Sequence, residues 1–203
     1  MKLLIASHNK NKIKEFKEIL EPLGHTVLSA SDFDINIDDV EETESTFEGN
    51  ALLKARYLFE KTGLASISDD SGLTIPELPD ILGVYSARFM GSDTDYTVKN
   101  HAVIDLLKDK EDRSAYFTSA IALVGPTEEK TFVGRIDGTI TDEIRGVGGF
   151  GYDPIFLPDG YEETFGELGP EIKNTISHRF RALEKLIHYL REVAAQTIGR
   201  TSD

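Results

Sequence analysis

The stretch Ser66-Ile-Ser-Asp-Asp-Ser-Gly-Leu73 sets two adjacent carboxylates and a serine beside a glycine. Hard cations take oxygen ligands, and a carboxylate placed next to a water can accept its proton. Leu64-Ala-Ser-Ile67 reads as the end of a strand, with Gly72 supplying the positive φ of a tight reversal. On that reading Asp69 and Asp70 point in different directions, so that one ligates a metal while the other orients a water or a neighbouring side chain. An Asx turn capping the next element accounts for the same residues.

Four further groups carry chemistry. Ser7-His8-Asn9-Lys10-Asn11-Lys12 lies between a predicted strand and a predicted helix, where free amides and the helix dipole attract anions and the lysines add charge. It has no glycine-rich cradle, so any grip on phosphate uses Ser and Asn side chains, amides and a lysine. An N-cap with solvated lysines fits the same residues. Glu41-Glu-Thr-Glu44 precedes a second helix; its charges suit a helix start, and one glutamate can serve as a second oxygen ligand beside Asp70.

Gly146-Val-Gly-Gly-Phe-Gly151 matches G-x-G-x-x-G, but Tyr152-Asp153-Pro154-Ile155-Phe156 follows where a helix would have to open. The run fits a wall for a flat ligand, with Phe150 and Tyr152 stacking and Gly151 letting the backbone approach. Ser177-His178-Arg179 opens a final helix, four residues after Lys173. His178 and Arg179 can donate hydrogen bonds to a ligand and Lys173 can meet a phosphate, although a plain serine cap reads the same way. His25, His101 and His188 lack metal-ligand spacing.

The elements that must position these groups are legible in outline. Leu3-Leu-Ile-Ala6 reads as a buried strand, and Ile13, Phe16, Ile19, Leu20 and Leu23 as a helix stripe stopped at Gly24. A second helix is predicted from a Ser45/Glu48 capping box to Gly63, with Asn50 and Lys54 one turn apart on its other face. A third is predicted from Tyr96 to Lys108, and the last from His178 to Ala195. Ser114–Val124 and Thr131–Ile140 suit a hairpin closed through Gly125-Pro126. No repeat or linker divides the chain, so residues 1–195 read as one continuous α/β domain and 196–203 as a loose tail.

Composition bounds the partners. With 203 residues the chain can bury a core without staples, and with no cysteine it has neither disulfides nor thiolate metal sites, which suits the cytoplasm. The apolar start Met1–Ala6 is too short for a signal peptide, and no stretch is apolar enough to span a membrane. A net charge of −14 lacks the footprint of a duplex nucleic-acid binder. A polyanionic ligand therefore needs local cations or a bridging metal.

Taken together, Ser7-x-Asn9-x-x-Lys12, Glu41-Glu42-Thr43 with Thr46-Phe47-x-x-Asn50-Ala51-x-x-Lys54-Ala55, Asp69-Asp-Ser-Gly-Leu73, Tyr85-Ser-Ala-Arg88, Gly148-Gly-Phe-Gly-Tyr-Asp-Pro154 and Ser177-His-Arg179 resemble the Ham1 family of inosine triphosphate pyrophosphatases. The motifs keep the family's order over nearly the whole chain. The resemblance implies a two-lobed α/β fold with a long mixed sheet flanked by helices and a cleft between the lobes. It also implies a homodimeric, Mg²⁺-dependent enzyme cleaving ITP, dITP and XTP to monophosphate and pyrophosphate. Residues 7–12 would bind phosphate, Glu42 and Asp70 the metal, and Asp70 would take the proton of water. Lys54, Ser71, Phe150, Gly151, Tyr152, Asp153, Lys173, His178 and Arg179 would complete the substrate site.

Lys12, Lys54 and Lys173 would then be local exceptions to the acidic field. A 6-oxopurine accepts at O6 and donates at N1–H, so donors from His178 or Arg179 with Asp153 as acceptor would discriminate it from adenine. Two departures stand out: the 7–12 turn lacks the small glycines of many relatives, and Leu82 stands where a proline usually precedes Gly-Val-Tyr. A Maf-type pyrophosphatase acting on other nucleotides and a non-catalytic nucleotide-binding protein are the alternatives.

Overall fold

The computed structural model describes residues 1–200. Its six-stranded sheet has the order β2-β1-β3-β4-β5-β6. The strands are β1 Lys2–Ile5, β2 Thr26–Ser29, β3 Ser66–Thr74, β4 Ser114–Gly125, β5 Glu128–Ile140 and β6 Phe156–Pro158. β1 pairs in parallel with β2 and β3, and the other neighbours are antiparallel, which makes the sheet mixed. The predicted hairpin is β4–β5, its turn at Pro126-Thr127.

Helix α1 (Lys10–Leu20) follows β1 and buries Phe16 and Leu20; a 3-10 turn at Glu21–Leu23 then ends on Gly24 in the left-handed region. Helix α2 (Phe47–Thr62) starts one residue later than the Ser45/Glu48 pattern suggested. Thr46 is its cap, accepting the Gly49 N–H at 3.0 Å. Helix α3 is Tyr96–Leu106 and α4 a short Pro170–Ile176 segment. Helix α5 (His178–Arg200) runs through the start of the predicted tail as far as Arg200; residues 201–203 lie outside the described residues.

The largest departure from expectation is at the acidic motif. No turn interrupts it: Ser66 to Thr74 is one continuous strand, paired residue by residue with β4 from Ser66↔Val124 to Thr74↔Tyr116. Gly72 is extended and serves close packing, since a Cβ there would lie 2.7 Å from Ser86 Oγ and strike the Gly83 carbonyl. It lets the 3-10 segment Gly83–Arg88 lie flat on the strand. Leu82, just before that segment, takes φ 68°, a value closed to the proline expected of relatives.

Side-chain alternation divides the packing. Leu3, Ile5, Ile67, Ile121 and Leu123 meet Phe16 and Leu20 of α1 and Leu183 and Leu186 of α5. On the other face Ala120, Ala122 and Val124 meet Ala51 and Ala55 of α2. A separate core gathers Leu73, Phe117, Ile136, Ile140, Ile155, Phe156 and Phe165 around the far ends of β3, β4 and β5. The long strands thus join two lobes, and the acidic motif lies at the junction.

Candidate active site

Because β3 is extended, Asp69 and Asp70 leave it on opposite faces. Asp69 faces α1 and α5. Its Oδ2 lies 2.9 Å from Lys12 Nζ and accepts from Arg179 Nη2 at 3.1 Å, and its Oδ1 accepts the Ser119 hydroxyl. Burial pushes its pKa up, but Arg179 and Lys12 outweigh burial and hold the carboxyl well below the usual range. A carboxylate so occupied has no capacity left to act as a base.

Asp69 belongs to a buried network of three cations and three carboxylates. Glu15, on the inner face of α1, accepts Lys173 Nζ at 2.6 Å and an Arg179 guanidinium N–H. Lys173 also donates to Asp153 Oδ2 at 2.8 Å, and Asp153 Oδ2 accepts the Phe150 N–H at 2.9 Å. Arg179 reaches Ser71 Oγ at 3.1 Å. Burial raises the Glu15 pKa, but Arg179 and Lys173 prevail and lower it. The approach of α5 that places Arg179 depends on Gly134: a Cβ there would lie 2.5 Å from Ala182 N.

Asp70 faces α2 and is differently placed. Its Oδ1 is 3.8 Å from Lys54 Nζ, which also lies 3.0 Å from Glu42 Oε1 and donates to the Asp69 carbonyl at 2.8 Å. Its Oδ2 is buried with no hydrogen-bond partner. Burial raises its pKa from 3.8 to about 6, against the pull of Lys54 and with the push of Glu42. Two carboxylates around one ammonium leave a net negative oxygen-rich spot, which suits a hard divalent cation. Among the described residues no group of three His, Cys, Asp or Glu converges. Two carboxylates, with substrate phosphate and water, are the usual protein share for Mg²⁺.

Two cavities flank this junction. One, of 220 Å³, is lined by Asn9, Asn11, Lys12, Ser71, Phe117, Tyr96, Phe150, Gly151, Tyr152, Asp153, Lys173, His178 and Arg179. The other, of 480 Å³, is lined by Ser7, His8, Asn9, Glu42, Lys54, Ala87 and Arg88 among others. Asn9 and Ala87 line both. The first is aromatic and enclosed, and the second is polar.

Most predicted residues converge on these cavities, in altered roles. Asn9 caps α1, its Oδ1 accepting the N–H of Asn11 and Lys12 at 3.0 and 3.2 Å, so two amides expected to be free for an anion are taken. His8 Nε2 accepts the Ile37 N–H at 3.0 Å. Lys10 does not join; it lines a separate groove with Ile13, Lys14 and Lys17. Tyr152 is buried, donates its hydroxyl to the Ser86 carbonyl at 2.5 Å and meets Tyr96 edge-on. His178 stacks on Phe117 at 4.7 Å between centroids. Burial, reinforced by Arg179 and Lys173, keeps that imidazole neutral. His178 Nδ1 and Arg179 Nε are buried without partners.

Glu15, Ser119, Tyr96, Lys99 and Asn100 were not foreseen. Glu15 carried a signal, since it follows Lys12 by three residues and so shares its helix face. Lys99 and Asn100 are buried on α3. Lys99 Nζ donates to the Ala87 carbonyl at 2.8 Å and Asn100 Nδ2 to the Gly151 carbonyl at 3.1 Å, so one helix tethers a wall of each cavity.

The model of the Ham1 family matches residues 3–189. A dITP/XTP pyrophosphatase of Bacillus subtilis is 46% identical over 186 residues, 90% of this chain and 93% of that protein. One of Caulobacter vibrioides is 42% identical over 188 residues, 91% of this chain and 95% of that protein. The solved HAM1 protein from Coxiella burnetii superposes with a TM-score of 0.85 at 39% identity, covering 95% of this chain and 99% of that one.

Proposed function

Because this chain belongs to the Ham1 family, we propose that it is a nucleoside triphosphate pyrophosphatase. It hydrolyses non-standard purine nucleotides such as dITP, XTP and ITP to the monophosphate and pyrophosphate, removing them from the nucleotide pool. The names of its relatives, dITP/XTP pyrophosphatases, support this reading over the Maf-type and non-catalytic alternatives. The observation that carries it within the site is Asp70 Oδ2, a buried carboxylate oxygen without a partner, on a residue whose Oδ1 is 3.8 Å from the Lys54 ammonium that lines the polar cleft.

Asp70 is the proton acceptor. In the metal-free protein burial raises its pKa to about 6, so it is largely ionised at neutral pH and more basic than an ordinary aspartate. The oxygen of that water forms a bond to the α-phosphorus while the bond from the α-phosphorus to the bridging oxygen breaks, and the electron pair leaves with pyrophosphate. Glu42 and Asp70 would hold Mg²⁺, which when bound supplies neutralising charge to the phosphate oxygens. Lys54 orients both carboxylates.

The enclosed cavity is the base pocket. Phe150 offers a ring beside Lys173, whose Nζ is 4.7 Å from its centroid. His178 Nδ1 and Arg179 Nε are the buried polar atoms still free to pair with a purine edge. The two terminal nitrogens of Arg179 are engaged by Glu15, Asp69 and Ser71, which narrows its part to Nε. A homodimeric state and a cytoplasmic location complete the reading. Among the described residues no helix is long and apolar enough to cross a membrane.

Release of pyrophosphate, not orthophosphate, from ITP with Mg²⁺ tests the activity, and orthophosphate as first product would sink it. Light scattering tests the dimer. ATP hydrolysed as fast as ITP would refute the edge-pairing scheme.

A further inference from the structure

The cations around the two cavities fall into two sets. Lys12, Lys54, Lys173 and Arg179 each already hold carboxylates: Asp69; Glu42 and Asp70; Glu15 and Asp153; Glu15 and Asp69. The buried network is neutral, and Lys54 between Glu42 and Asp70 leaves that spot one charge negative. A triphosphate carrying about four negative charges therefore meets few uncompensated cations there.

Arg88 is different. It lines the polar cleft together with Ser7, Asn9, Glu42 and Lys54, and no ion pair to it occurs among the described residues. Its guanidinium carbon is 4.9 Å from the centroid of Tyr85. Such stacking restrains the group through its face and leaves the in-plane N–H fork open, the geometry that pairs bidentately with phosphate oxygens. The backbone beneath it is anchored from three elements. Ser86 Oγ accepts the Leu73 N–H at 2.9 Å, Tyr152 Oη donates to the Ser86 carbonyl at 2.5 Å, and Lys99 Nζ donates to the Ala87 carbonyl at 2.8 Å. An exposed arginine thus stands on a rigid base at the mouth of the cleft.

We propose that Arg88 is a binding residue for the outer phosphates: its guanidinium holds the β- and γ-phosphate oxygens of the nucleotide and then the departing pyrophosphate. This deepens the pyrophosphatase reading and rests on it for the identity of the anion. Monophosphate, which occupies the base pocket and the α-phosphate position, does not touch Arg88.

Calorimetric binding of inorganic pyrophosphate in the presence of Mg²⁺, and separately of inosine monophosphate, tests this without turnover. Arg88→Ala should weaken pyrophosphate binding by about tenfold or more, the scale of a lost charge-assisted pair. Its affinity for the monophosphate should stay within about twofold of the native protein. Arg88→Lys should recover part of the loss, since an ammonium keeps the charge without the fork. Thermal unfolding of both variants should match the native protein, because the side chain is exposed. Unchanged pyrophosphate affinity in Arg88→Ala, or an equal loss for the monophosphate, overturns the proposal. Failure of the native protein to release pyrophosphate from ITP would instead overturn the pyrophosphatase reading.

Discussion

Asp69 and Asp70 are consecutive on β3 and face opposite sides of the sheet, Asp69 against Lys12 and Arg179 and Asp70 against Lys54. One carboxylate is saturated by cations, and the other keeps a buried oxygen without a partner. Two chemically identical side chains thus have opposite electrostatic surroundings.

Asp70→Asn should lower turnover by about 10²-fold or more, and, as the loss of one of two metal carboxylates, should also raise the Mg²⁺ concentration the enzyme needs. It should also stabilise the metal-free protein. Asp70 has a folded pKa of about 6 against 3.8 unfolded, so only well below pH 3.8 is the carboxyl protonated in both states and without cost. Between 3.8 and about 6 the unfolded chain ionises while the folded state holds its proton, so stability falls by roughly 1–3 kcal/mol across that window and levels off above it. The variant's advantage should therefore be absent near about pH 3, grow between about pH 4 and 6, and be full by about pH 7. Chemical denaturation with a chelator present, at several pH values, checks it; a variant less stable at pH 8 contradicts this account.

Asp69→Asn should do the reverse. Removing that charge leaves buried Arg179 and half-buried Lys12 under-compensated, at a cost of about 3–5 kcal/mol. Urea midpoints of the two variants, compared at pH 7.5, should move in opposite directions.

Glu15→Gln should destabilise the protein most above pH 4.5. The folded pKa of Glu15 is depressed, so its contribution is present above the unfolded value and is lost as pH falls through the folded one. The gap between variant and native melting curves should narrow with acidification. A gap independent of pH would show that packing, not charge, explains the residue.

Chelation should abolish turnover, and Mg²⁺ should restore it. Glu42→Gln should raise the Mg²⁺ concentration needed for half-maximal rate by about tenfold or more. Binding of inosine, which carries no phosphate, should stay unaltered, because the base pocket contains neither carboxylate. A Glu42→Gln protein with an unshifted Mg²⁺ requirement removes Glu42 from the metal site.

Gly134→Ala should impair both folding and affinity. Its methyl group would press on the first turn of α5, where Ala182 N lies 2.5 Å away. Overpacking of this kind costs about 1–3 kcal/mol, and displacement of His178 and Arg179 should raise KM for ITP more than it lowers kcat. A lowered apparent kcat with unchanged KM would argue instead for general loss of folded protein.

Periodicity made α1, α5 and the β4–β5 hairpin legible, because one apolar face against one sheet leaves a regular trace in the chain. It could not reveal Gly72, since a glycine needed for close packing looks the same in sequence as one needed for a turn. The saturation of Asp69 depends on Arg179, 110 residues away, and only the fold brings them together. Glu15 was hidden for the same reason: its partners Lys173 and Arg179 lie beyond the range of any local pattern. Lys10 read as part of a basic cluster because neighbours in sequence were assumed to share a face, and the start of a helix turns successive side chains apart.

The pairing of β3 with β4, Asp69 opposite Ile121 and Asp70 opposite Ala120, has a consequence for the protein's assembly. A slip of a single residue along that ladder would turn β3 over, presenting Asp70 to Arg179 and Asp69 to Lys54. Such a molecule could keep its helices and much of its compactness yet have no competent base. Specific activity after refolding therefore counts the molecules whose strands found the right partners, a quantity that circular dichroism would miss.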